Sequence, residues 1–127
     1  MMIFEGKREE IGENEDKRKL SRGRCSVTVN GKTLKSFLVD PRADPNKTGR
    51  VYDWGYFGTY SVNLAYSILM EYFTAEGYKD IILDDYAIPF CHEYIVPLSQ
   101  DEDWKIGQDE IEFFLRNIID RENNNEN

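Results

Sequence analysis

Chemistry in this 127-residue chain can come from only a few places, and the first is Cys91-His92. His92 is the single histidine, and Cys25 is the only other cysteine. A structural zinc takes four ligands, usually as two close pairs, and one adjacent Cys-His pair supplies half of that set. The surrounding "IPFCHEYIVPL" alternates Phe90, His92, Tyr94 and Val96 with Cys91, Glu93 and Ile95, which predicts a strand. On a strand, Cys91 and His92 point to opposite faces, so neither a shared metal nor a thiol–imidazole pair forms. Both cysteines then read as small buried hydrophobes. No metal and no cofactor are expected. The paired acids Asp84-Asp85, Asp101-Glu102-Asp103 and Asp109-Glu110 could do acid–base work only by converging in a pocket. Their places at predicted helix starts and in a loop are explained by solvation alone.

A second candidate is "VYDWGYFGTY", residues 51–60, which carries five aromatic rings and two glycines. Gly55 and Gly58 precede a helical pattern, as in turns whose backbone N–H groups face a phosphate. Their spacing matches neither G-x-x-x-x-G-K-[ST] nor G-x-G-x-x-G, and no lysine or arginine lies between Val51 and Tyr78. The residues therefore predict a collar through which the chain enters its core. Trp54, Tyr56 and Phe57 staple the loop, and the glycines permit the sharp turn. Asp53 is the one acid inside the collar. Capping backbone N–H groups is its expected role, and a small-ligand or enzyme site at Asp53, Trp54, Gly55, Tyr56 and Gly58 is the alternative.

Charge separates the two parts of the chain. Residues 1–50 hold 12 Lys+Arg against 8 Asp+Glu, whereas residues 51–127 hold 4 against 16. The acidic part disfavours tracking a nucleic-acid backbone, since each phosphate contact needs a cation. The basic run "KRKLSRGR", Lys17 to Arg24, is the local exception, and it makes nucleic-acid contact a further alternative. Flanked by "EEIGENED", it reads as a solvated loop. No segment approaches the ~18 apolar residues of a membrane span. The opening "MMIFEGKREE" lacks the apolar run of a secretory leader, so a cytoplasmic location is expected.

These residues must be positioned by few elements. "MIFEGKR" predicts a first strand, and residues 9–23 a mobile charged loop. "RCSVTVNGKTLKSF" predicts a β-hairpin over Arg24–Phe37. Cys25, Val27 and Val29 alternate with polar residues, and Asn30-Gly31 suits a type I′ turn. Leu64, Ala65, Ile68, Leu69 and Tyr72 form a helical stripe, widened by Val62, Tyr66, Met70 and Phe73 into a central helix that ends at Gly77. "KDIILDDYA" predicts a short helix capped by Asp80. "GQDEIEFFLRNIID" predicts a C-terminal helix burying Ile111, Phe114, Leu115 and Ile118. Phe113 falls on its opposite face among Asp109, Glu112 and Arg116, either as a partner surface or packed under a neighbouring strand or loop. The expectation is one α+β domain over residues 1–121, followed by a disordered tail at 122–127. A small antiparallel sheet of three to four strands packs against the central and C-terminal helices.

The run from Tyr52 onward resembles a family of small uncharacterised bacterial and phage domains. The resemblance lies in Asp53-Trp54-Gly55-Tyr56-Phe57-Gly58, then Leu64-Ala65 with Ile68-Leu69, then Leu98, Trp104-Lys105-Ile106 and Glu110-Ile111-Glu112-Phe113-Phe114-Leu115. "IFEGKR" and "VTVNGKTL" are also similar to its opening strand and hairpin. The chain departs from the family's pattern in the charged insertion at Glu9 to Gly23 and at Tyr60-Ser61. The resemblance implies the fold and an association with mobile elements, and it transfers no catalytic residue. Together with the acidity, it sets the expectation of a non-enzymatic protein that binds another protein, acting as a phage-type accessory factor on a host protein.

Overall fold

The computed structural model describes residues 1–9, 24–37, 51–78 and 82–125. The first strand, β1 (Ile3–Glu9), pairs antiparallel with β2 (Arg24–Val29), with Phe4 opposite Val29 and Arg8 opposite Cys25. Asn30 and Gly31 have φ of 50° and 81°, the left-handed pair that a type I′ turn requires. The turn returns the chain as the two-residue β3 (Lys32–Thr33), and the expected hairpin is present. Its second arm then leaves the sheet: the Phe37 N–H donates to Ser67 Oγ at 2.8 Å, and its ring stacks on Tyr66.

The central helix, α1 (Thr59–Ala75), buries Leu64, Ala65, Ile68 and Leu69 completely. Burial extends around it to Ser61, Asn63 and Ser67, which is why its apolar stripe exceeds one face. Gly77 (φ 76°) closes it: the Tyr78 N–H reaches back to Phe73 O at 2.9 Å, and the two rings meet edge to face.

The next segment differs from expectation. "IPFCHEYIVPL" is not a strand. Residues Asp84–Phe90 form the short helix α2, which continues as a π-helical turn over Cys91–Ile95. Ala87, Phe90, Cys91 and Ile95 are buried, with Tyr94 packed against them, at helical spacing i, i+3, i+4, i+7, i+8. Pro89 lacks the N–H that would bond Asp85. The ladder beyond it widens, and the Val96 N–H donates five residues back to Cys91 O at 2.9 Å. The expected cap, Asp80, lies outside the described residues. The helix starts at Asp84, with Leu83 before it and two acids in its first turn.

The fourth strand is β4 (Trp104–Gly107), whose burial alternates between Trp104 and Ile106 inside and Lys105 outside. It pairs antiparallel with β1, with Gly6 opposite Trp104, giving the order β3-β2-β1-β4. The C-terminal helix α3 (Gln108–Asn125) follows without a loop, and its backbone runs four residues into the segment expected as a tail. Its start is closed by Glu110, whose Oε2 accepts the Gly107 N–H at 2.8 Å, half of a capping box. The structure is the expected α+β arrangement, with helices on one face of a four-stranded antiparallel sheet. Among the described residues, no helix is long and apolar enough to cross a membrane.

Candidate functional site

Asp53 and Trp54 are wholly buried. The Asp53 carboxylate accepts the Trp54 N–H (2.9 Å) and the Tyr56 hydroxyl (3.1 Å), and it is paired with the Arg8 guanidinium. Its capping of a backbone N–H matches the expected role. Its cation does not come from the collar. Arg8 reaches it from β1, where Phe4, Gly6 and Arg8 share the inner face of the strand. Strand parity puts Arg8 in line with two core positions, and that is the signal in the sequence that it points inward.

The fold encloses nearly all of the Arg8 side chain. Its Cζ lies 4.1 Å from the Trp54 ring centroid, and its Nε donates to Gln100 O at 2.6 Å. Trp54 meets Trp104 edge to face at 5.6 Å, and its indole N–H donates to Glu102 O at 3.2 Å. The Trp104 ring lies across Gly6, where an added Cβ would sit 2.2 Å from its Cε2. A strand glycine here makes room for a ring. Arg8 Nη1 and Trp104 Nε1 are buried without a hydrogen-bond partner among the described residues.

The two collar glycines do different work. Gly55 has φ 89°, donates to Ile95 O at 3.0 Å and accepts from Gln100 Nε2 at 3.1 Å; a Cβ there would approach Leu98 O to 2.9 Å. It bolts the collar to the end of the π turn. Gly58 is extended, and a Cβ would meet the Tyr56 ring at 2.8 Å, so it serves close approach. A ligand reaching the Asp53 carboxylate would have to displace the chain's own donors.

Cys91 and His92 diverge, as the sequence predicted, but on a helical turn and not on a strand. Cys91 is fully buried, and burial pushes its thiol up to about 12. His92 is exposed and stacks on Phe57, with ring centroids 4.5 Å apart. Cys25 Sγ lies 2.9 Å from Tyr52 O. Among the described residues, no three His, Cys, Asp or Glu side chains are grouped to hold a metal. Of the paired acids, Asp84 accepts the Tyr66 hydroxyl, Asp103 accepts the Arg8 N–H at 3.0 Å, and Glu110 caps α3. They are dispersed and do not converge. Of the basic run Lys17–Arg24, only the Arg24 backbone, in β2, lies within the described residues.

On α3, Ile111, Phe114 and Ile118 are buried and Leu115 partly so. Phe113 is 57% exposed. Asp109 and Arg116 beside it are exposed, and Glu112 is half-buried, accepting from Gln108 Nε2 at 2.9 Å and from the Tyr72 hydroxyl at 3.4 Å. No strand or loop among the described residues covers the Phe113 ring.

A small antiparallel sheet backed by three helices, with an aromatic-glycine collar around a buried Arg–Asp pair, defines the class of domain. The chain matches the family of unknown function DUF6166 over residues 5–117, and it belongs to that family. No curated protein and no solved structure matches it.

Proposed function

We propose that the chain is a non-enzymatic, acidic protein-binding domain that contacts its partner through the face of α3 centred on Phe113. We propose further that it works in the cytoplasm as an accessory factor of a phage or other mobile element, acting on a host protein. The setting rests on the resemblance of the collar and the helix ending to domains of that kind. One observation carries the binding reading: Phe113 holds a large aromatic surface in water, while the residues around the same helix build the core. Exposing that ring forgoes the stabilisation its burial would bring, and aromatic side chains are over-represented among interface anchors.

The collar supports a structural part in this scheme, because its polar groups are engaged with Arg8, Gln100 and each other. The test is a pair of pull-downs from host lysate with the wild type and Phe113→Ser. The expected result is a melting temperature within about 2 °C of wild type, the scale of an exposed substitution, together with loss of a partner that the wild type retains. An identical set of retained proteins would remove the reading.

A further inference from the structure

The tip of the β2–β3 hairpin carries the chain's single Asn-Gly step, Asn30-Gly31. An asparagine before glycine can cyclise on its own backbone. The nitrogen of the next residue attacks the side-chain Cγ, and a glycine there brings no Cβ to hinder the approach. Both residues are exposed, and a Cβ built on Gly31 would meet nothing within 4 Å. Among the described residues nothing crowds this step, so conformation alone decides whether it reacts.

A type I′ turn sets its first central residue near ψ ~ +30°, and Asn30, at φ 50°, occupies that place. On an L-residue the Cβ then stands about 150° from the following nitrogen around the Cα–C bond. A five-membered ring needs the two nearly eclipsed. The side chain is also tied to β1: Asn30 Oδ1 accepts the Ile3 N–H at 2.9 Å, and the Asn30 N–H donates to Ile3 O at 3.0 Å. Cyclisation therefore requires the turn to open and the bond to β1 to break. We infer that Asn30 is a modification site gated by the hairpin, deamidating through a cyclic imide when the turn opens and held back while it is closed. In that step Gly31 N gives its proton to solvent base and bonds to Asn30 Cγ, the Cγ–Nδ2 bond breaks, and the amide nitrogen leaves as ammonia. Water then opens the imide. Cleavage at Cγ gives aspartate, whereas cleavage at the main-chain carbonyl gives isoaspartate, whose main chain runs through Cβ and Cγ. Aspartate suits the same turn and still offers the Ile3 N–H an acceptor. Isoaspartate lengthens the main chain by one methylene, so Val29 no longer meets Lys32 in register.

The experiment incubates the full chain in mildly alkaline buffer, with and without denaturing urea, and follows conversion by intact mass and its position by peptide mapping. Asn30 is expected to convert at least about tenfold faster in urea, the ratio that an opening free energy of about 1.4 kcal/mol produces. A smaller ratio overturns the gating, and no conversion at Asn30 in urea overturns the site itself. The two products are then separated and refolded, with Asn30→Asp as the reference for the aspartate form. Asn30→Asp should melt within about 2 °C of wild type, the scale of an exposed substitution, and the isoaspartate form should melt below it. An isoaspartate form that melts together with Asn30→Asp overturns the consequence drawn for the β2–β3 pairing.

Discussion

The Asp53 carboxylate takes hydrogen bonds from the Trp54 amide and the Tyr56 hydroxyl and shares an ion pair with Arg8, almost out of reach of water. Burying two charges is costly, and the cost is recovered only while both remain paired. Asp53→Ala is therefore expected to lose about 3–5 kcal/mol in urea denaturation, because it strands the Arg8 cation beneath the Trp54 ring. Adding Arg8→Met should recover part of that loss: the second change removes the stranded charge together with the unpartnered Nη1 donor. A loss under about 0.5 kcal/mol for the single variant would mean the pair is solvated. At this scale the sequence was half legible. Aromatics and glycines around one acid marked Asp53 as a turn organiser. The partner forty-five positions away came from another element, and only the parity of β1 pointed to it.

The hairpin, the central helix and α3 each repeat their apolar residues at a period that matches their burial, so local pattern and tertiary packing agree. Gly31 shows what a turn demands at this scale. A Cβ there would meet nothing within 4 Å, yet φ is 81°, so any cost of a side chain is a backbone cost. Gly31→Val should lower stability by about 1 kcal/mol or more, read as a drop in melting temperature; an unchanged value would count against the turn geometry. The segment 87–95 failed to be read for an instructive reason. Its residues satisfy strand alternation and helical spacing at once, and the alternation over residues 88–98 is what predicts a strand. The helical answer wins because positions 87, 90, 91 and 95 are the ones that reach the core behind the collar. The true fourth strand, Trp104–Gly107, is too short to announce itself, and its pairing with β1 is a long-range event.

For the whole molecule, burial of ionisable groups sets an alkaline limit. Burial raises the phenols of Tyr52 and Tyr66 from 10.0 to about 12, with Asp84 adding to the shift at Tyr66, and raises the Cys91 thiol from 9.0 to about 12. Each folded group holds its proton more tightly than the unfolded chain does. The associated stability is thus complete below pH 9, the thiol's unfolded value, and is lost as pH climbs through about 12. Melting temperatures should hold level to about pH 9 and decline steeply above it, and a curve still flat at pH 11 would show that these groups are open to solvent. The strand order has a consequence for synthesis. β1 is made first and lies between β2 and β4, and the Met2 carbonyl and amide are bonded to Gln108. Until residues 104–108 leave the ribosome, one edge of β1 is bare and the Trp104 ring that covers Gly6 is missing. From the synthesis of β1 to that of β4, the nascent chain must be carried with that edge open to pairing with other chains.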